Sequence, residues 1–341
     1  MIFGVGTAMI VAFFLTGLPE LFPGVVPIVG RHLAFIVFWW ILGRFSFWFM
    51  DYFGIFFTGF INISLTAYIS YLAAIPAFRD RNKRHTSLAY SMVSIVIIQA
   101  IFFLSESKIL NIDSYKILLL SMILFLVLIF LALRRVSMES INELLNQENI
   151  NEIFLAKSFR YNLAIFCLLL YGFVEFFFPN NSTLAYICFA CGSATFALLN
   201  DFVLKENNIL FKPFVLYIIS TISITAIGFF FLGFNYLFEL NITNHFRHFL
   251  TTGSFGMVFY VIMIIVSTIH TGRKIFTNWA LTLGLILIII ATFMRAFIPF
   301  YIEYSMTLYI LSSIIWAIPF IIYMKIFFPF LLQVRADGIK G

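Results

Sequence analysis

The chain has 341 residues, of which 62% are hydrophobic, 20% aromatic and 11% charged. A soluble domain carries about 25% charged residues, so an ordinary water-soluble enzyme is excluded and a protein immersed in lipid is indicated. The net charge of +6 does not point to nucleic acid, because the basic residues fall on alternate connections between apolar stretches.

Apolar stretches of spanning length recur from end to end, with no period-2 alternation that would suggest a barrel. The expectation is an all-α polytopic membrane protein with the lipid bilayer as its main partner. About 11 transmembrane helices are read, over Met1–Leu18, His32–Met50, Tyr52–Pro76, Ser87–Leu104, Tyr115–Leu133, Phe159–Phe178, Thr183–Val203, Pro213–Gly233, His248–Ile269, Phe276–Ile298 and Tyr304–Phe330. Little more than Asp51 separates the second from the third, which demands a tight turn. No linker is long enough to divide the chain, so residues 1–341 are read as a single polytopic transmembrane domain without internal repeats. The connection 134–160 mixes Glu, Asn and Lys with a few Leu and Ile. It reads as a surface helical hairpin or flexible loop.

Lys and Arg set the orientation. One set of connections holds Arg31, Arg79, Arg81, Lys83, Arg84, Arg134, Arg135, Lys157, Arg160, Lys205, Lys212, Arg273 and Lys274, and the tail adds Lys325, Arg335 and Lys340. The opposite set holds Lys108, Lys116 and Arg247. The positive-inside rule therefore predicts a cytoplasmic C-terminus and a cytoplasmic loop 134–160. The first apolar run has no small-residue cleavage site, so no cleavable signal peptide is read.

A charged group inside the membrane costs about 2.5–3.5 kcal/mol on insertion scales and by default marks function. The candidates are Arg44, Glu175 and Arg295, all expected in the outer half of the bilayer, at the level of His248 and of His245 one turn earlier. One reading is a polar site in which histidine is a ligand and the arginines clamp carboxylates. The other is that Arg44 and Arg295 pair with Glu175 or with carbonyls and merely lock helices. His270 ends the same apolar run that His248 begins. Twenty-two steps of helix make about 33 Å, the thickness of the hydrocarbon core, so the two cannot hold one metal ion together. His32 and His85 read as solvated. Cys188 and Cys191 share a helical face, where small buried residues for packing are a plainer account than a copper(I) site.

The run His248-Phe249-Leu250-Thr251-Thr252-Gly253-Ser254-Phe255-Gly256, closing at His270-Thr271-Gly272-Arg273, resembles the NnrS family. Arg295 with Pro299, the tail Arg335-Ala336-Asp337-Gly338-Ile339-Lys340-Gly341, and Gly43-Arg44 after Trp39-Trp40 resemble further signatures of that family. The resemblance implies a bacterial cell inner (cytoplasmic) membrane protein with twelve spans at full length. It implies haem, with copper at an unassigned site, and a link to nitric oxide and nitrosative stress. His248 and His270 are the implied metal ligands, and nitric oxide or an iron-nitrosyl species is the implied ligand. Ile265 and Ile269 depart from the family's arginine and glycine before His270. Met1-Ile2-Phe3-Gly4 resembles the end of the family's opening His-x-His-Glu motif, and Leu15-Thr16-Gly17-Leu18-Pro19 resembles its next conserved segment. The natural start is therefore expected upstream of Met1. A transporter of a small molecule or metal complex, and a sensor subunit without chemistry, are the other classes weighed. The transporter would favour broken helices in two related halves, which are not evident.

Overall fold

The computed structural model describes residues 2–338 apart from 10, 11, 13, 14, 16, 18–24, 27, 81–85, 180, 204–206 and 277. The expectations for Met1, Thr16, Leu18-Pro19, Arg81, Lys83, Arg84, His85, Lys205 and Lys340 lie outside these residues. Every regular element among the described residues is helical. Apart from four short 3-10 turns they are, in order, a π-helical turn π1 (Ile2–Gly6), then α1 (Gly30–Trp48), α2 (Met50–Arg79), α3 (Thr86–Glu106), α4 (Ser114–Gln147), α5 (Ser158–Phe177) and α6 (Thr183–Phe196). Next come α7 (Pro213–Leu237), α8 (Thr243–Phe246), π2 (Phe249–Phe255), α9 (Gly256–His270), α10 (Trp279–Ala296) and α11 (Ser305–Leu332).

Among the described residues, nine helices are long and apolar enough to cross a membrane. Two expected stretches fall outside that set. Met1–Leu18 is only partly described, and α1 carries Arg31, His32 and Arg44 in 19 residues. The chain is a multi-pass membrane protein, and rows of exposed Phe, Ile and Leu on these helices are the surface that lipid covers. The stretches differ in how much they face lipid. In Thr243–His270 78% of the most apolar segment is buried, against 17% in Ile302–Leu332. The histidine-bearing helix is therefore the enclosed one.

The chain divides into two compact units, Met1–Leu131 and Ala132–Gly341, with the boundary inside α4. In the first unit α1 and α2 form the tight hairpin expected beside Asp51. Its reversal runs from Phe49 to Gly54, whose φ of 76° interrupts the helix. Thr58 Oγ1 donates to the carbonyl of Ser46 (3.1 Å) and Asn62 Nδ2 to that of Gly43 (3.3 Å), which fixes the register of the pair.

The stretch 134–160 is neither a hairpin nor a loose loop. Helix α4 continues to Gln147, because Val136, Ile141, Leu144 and Leu145 recur at helical spacing and are buried. An extended strap then returns along it. Asn142 holds the strap by both amide groups, accepting from the Phe154 N–H (2.7 Å) and donating to the Phe154 carbonyl (3.1 Å). Phe154 is 1% exposed. The strap ends where Asp201 accepts from the Lys157 N–H (3.0 Å) and pairs with Arg160. A few apolar residues thus order a segment whose charge suggested solvent.

Candidate functional site

In the second unit, Glu175 stands two residues before the end of α5 and is 4% exposed. A carboxylate buried in this way is tolerable only with charge-assisted hydrogen bonds. One oxygen, Oε1, accepts three: from Tyr171 Oη one turn earlier (2.5 Å), from Tyr236 Oη on α7 (3.1 Å) and from Arg247 Nη2 (2.5 Å). Arg247 also donates through Nη1 to Asn244 Oδ1 (2.5 Å). The partner of Glu175 is therefore Arg247, a residue that read as an outer-connection base. Within this unit Glu175 pairs with Arg247 and not with Arg295. Arg295 instead takes the carbonyl alternative. Its Nη1 lies 3.5 Å from the Tyr309 carbonyl and 3.4 Å from Ser313 Oγ, and its Cζ sits 4.6 Å from the Tyr309 ring centre.

The next residue after Arg247 is His248, which precedes π2. A π-helical stretch within an α-helix widens the turn and frees carbonyls from the regular ladder. Here Trp316 Nε1 of α11 donates to the Thr252 carbonyl (3.1 Å). Gly228 and Gly253 let the segment approach its neighbours, since a Cβ on Gly228 would lie 2.6 Å from Phe249 Cβ. The Thr252 hydroxyl stands 3.4 Å from His248 Nδ1. The His245 ring lies 6.3 Å from that of His248, centre to centre, and its buried Nδ1 has no hydrogen-bond partner. His245 and Arg295 are the charged or titratable neighbours that His248 feels. Of the polar residues expected at one level, Arg44, Glu175, Arg295, His245 and His248, the second unit sets His245 beside His248, with Arg295 close enough for its charge to act on His248, and links Glu175 to the residue before His248 through Arg247.

His270 lies at the far end of the same continuous segment, Thr243–His270, so the two histidines remain apart. Its surroundings are those of a dock for the chain's tail. The Ala336 N–H donates to the Thr271 carbonyl (3.0 Å), Arg273 Nη2 to Gln333 Oε1 (2.9 Å), and Arg335 pairs with Asp337 (2.6 Å). Arg273 also stacks on the Phe330 ring, 4.2 Å from its centre. The two signature segments His270–Arg273 and Arg335–Gly338 are therefore one structural feature. Among the described residues no three His, Cys, Asp or Glu side chains converge in a way that could hold a metal ion. Cys167, Cys188 and Cys191 are buried free thiols.

In the first unit, Arg44 lies near the end of α1. Its Nη2 donates to Asn62 Oδ1, and its guanidinium lies 5.9 Å from the Trp40 ring and 5.8 Å from that of Phe47.

An enclosed helix with a histidine–arginine cluster at one end, inside a bundle of apolar spans, defines a polytopic helical membrane protein with an internal polar site. Residues 1–335 match the NnrS protein family, and the chain belongs to it. It is thereby a membrane protein of a family linked to nitric oxide. No curated protein and no solved structure matches the chain.

Proposed function

We propose that this chain is a haem-binding protein of the nitric oxide and nitrosative stress response, residing in the bacterial inner membrane, and that it binds or detoxifies nitric oxide or its iron adducts. The observation that carries the reading is the imidazole of His248 at the head of π2, beside His245 and within the field of Arg295. Haem iron takes a histidine nitrogen as axial ligand, and haem carboxylates are matched by arginine. His248 is the axial candidate, with the Thr252 hydroxyl beside Nδ1 leaving Nε2 for the iron. Arg295, held by the Tyr309 carbonyl and Ser313, is the carboxylate partner. Glu175 acts at one remove, by fixing Arg247 and with it the backbone that carries His248. When bound, haem would supply the affinity for nitric oxide. The chain supplies orientation and the apolar surroundings that keep water out.

The same proposal takes eleven spans for this chain, with the C-terminus and the segment 134–160 on the cytoplasmic side. His270 has the weaker claim as a ligand, because the tail docks beside it. No residues are assigned to copper.

The test is the haem absorption band of purified full-length protein. His248→Ala is expected to abolish or shift it, and His270→Ala to leave it in place. A band unchanged in His248→Ala would remove His248 as a ligand.

A further inference from the structure

In the first unit the guanidinium of Arg44 is part-buried and incompletely satisfied. Its Nη2 donates to the neutral amide oxygen of Asn62, its Nε is buried without a partner, and no described carboxylate stands within ion-pair distance. Nη1 has no hydrogen-bond partner among the described residues and is not buried. Asn62 is itself held by donating to the carbonyls of Thr58 (2.8 Å) and Gly43 (3.3 Å), so its oxygen is aimed rather than free to turn. Trp40 and Phe47 flank the guanidinium. Gly4 of π1 packs against it, and a Cβ there would stand 2.7 Å from Nη1. Helix α1 presents Phe35, Phe38, Ile41 and Phe45 to the lipid, so bulk water does not offset the charge. A second unmet group stands in the same bundle. Gln99 of α3 is 0% exposed, and both its amide atoms lack partners. It is one turn from Phe103, which packs on Gly59, one turn before Asn62.

The arrangement also has a counterpart. Arg44 and Arg295 each donate to a side chain 18 residues ahead on the following helix, Asn62 and Ser313. The glycine of a Phe-Gly pair stands forty residues before Arg44 (Phe3-Gly4) and thirty-nine before Arg295 (Phe255-Gly256), inside or at the end of a π-helical stretch in both cases. Arg295 has an aromatic ring and a carbonyl for company. Arg44 has the Trp40 and Phe47 rings but no carbonyl, and its Nη1 makes no hydrogen bond among the described residues.

We infer that Arg44 is the recognition group of a site for a planar monoanion with two oxygens on one edge, a carboxylate or an ion of the nitrite type. The end of a guanidinium presents parallel N–H groups that match such an edge, and a lysine ammonium does not. The site stands on the first unit alone and does not rest on the haem reading. The two sources of this chemistry are a free small ion and the carboxylate of a bound tetrapyrrole.

The experiment is calorimetric titration of the purified full chain in uncharged detergent with sodium formate and sodium nitrite, at ionic strength held constant with chloride. It is run on haem-free and on haem-loaded preparations. Saturable binding of both ions is expected in the haem-free protein, lost in Arg44→Gln and at least tenfold weaker in Arg44→Lys. Binding in both preparations identifies a free ion as the occupant. Binding only in the haem-free preparation, with Arg44→Lys also losing haem, identifies a tetrapyrrole carboxylate. Either result upholds the site. Should Arg44→Gln not fold, as judged by its thermal melt, Arg44→Lys decides alone. No saturable binding in wild type, or wild-type affinity in Arg44→Lys, overturns the inference.

Discussion

In the second unit the buried carboxylate of Glu175 meets a guanidinium and two phenols, while in the first unit the guanidinium of Arg44 meets one neutral amide. Both lie in helices flanked by lipid-facing aromatic residues, so the difference is not one of solvent. It lies in what each charge has left to bind. The Glu175 carboxylate is paired with an opposite charge and holds α5, α7 and the start of the histidine segment together. Arg44 keeps a buried Nε without a partner. A charge satisfied from within serves architecture, and a charge left partly unmet is available to a ligand.

The comparison can be broken by removing each group in turn. The largest effect is expected for Glu175→Ala, which strands Arg247 at 11% side-chain exposure. Loss of one partner of a buried pair costs about 3–5 kcal/mol, whereas replacing both by apolar groups is often near neutral. Unfolding in mixed micelles should therefore record a large loss for the single variant, and recovery of most of it in Glu175→Leu combined with Arg247→Met. Equal losses in the single and double variants would mean that Glu175 and Arg247 do not act as a pair.

A smaller effect is expected in the first unit. Asn62→Leu removes two hydrogen bonds to carbonyls and the acceptor of Arg44, for about 1–3 kcal/mol. The same melt should show this loss shrinking when saturating formate is present, since an anion would replace the missing acceptor. A loss as large as that of Glu175→Ala would make Arg44 an architectural charge after all. The smallest effect belongs to the tail. The Arg335–Asp337 pair is 26% and 31% exposed, so Arg335→Ala should cost no more than about 1 kcal/mol. The haem band should not change in that variant. If it did, the docked tail would belong to the site and not to the scaffold.

Much of this is legible in the residues. The spacing of apolar runs marks the helices, and the rarity of charge within them singles out Arg44, Glu175, Arg295 and His248. The signature segments point to the family. Pairing is what the residues hide. Glu175 and Arg247 are 72 residues apart, and Arg247 looks like a base in a connection because it sits just ahead of an apolar run. The one available signal is its position next to His248, at the head of the signature segment. The strap over 150–157 is hidden for a similar reason. Its charged residues suggest solvent, while the few apolar ones, Phe154 above all, decide where it packs. The π-helical turns leave no mark in composition, since they depend on an outside donor such as Trp316 to satisfy a freed carbonyl.

The sequence by itself determined that this chain is a helical membrane protein. A hydrocarbon layer about 30 Å thick offers backbone groups no partner but their own helix, so long apolar runs have one solution. The tertiary structure decided which polar groups meet. Helix packing brings Tyr171, Tyr236 and Arg247 onto Glu175, gathers His245, His248 and Arg295 at one helix head, and leaves Arg44 with a single neutral acceptor. Those encounters depend on how whole helices rotate and approach, and no local pattern of residues encodes that.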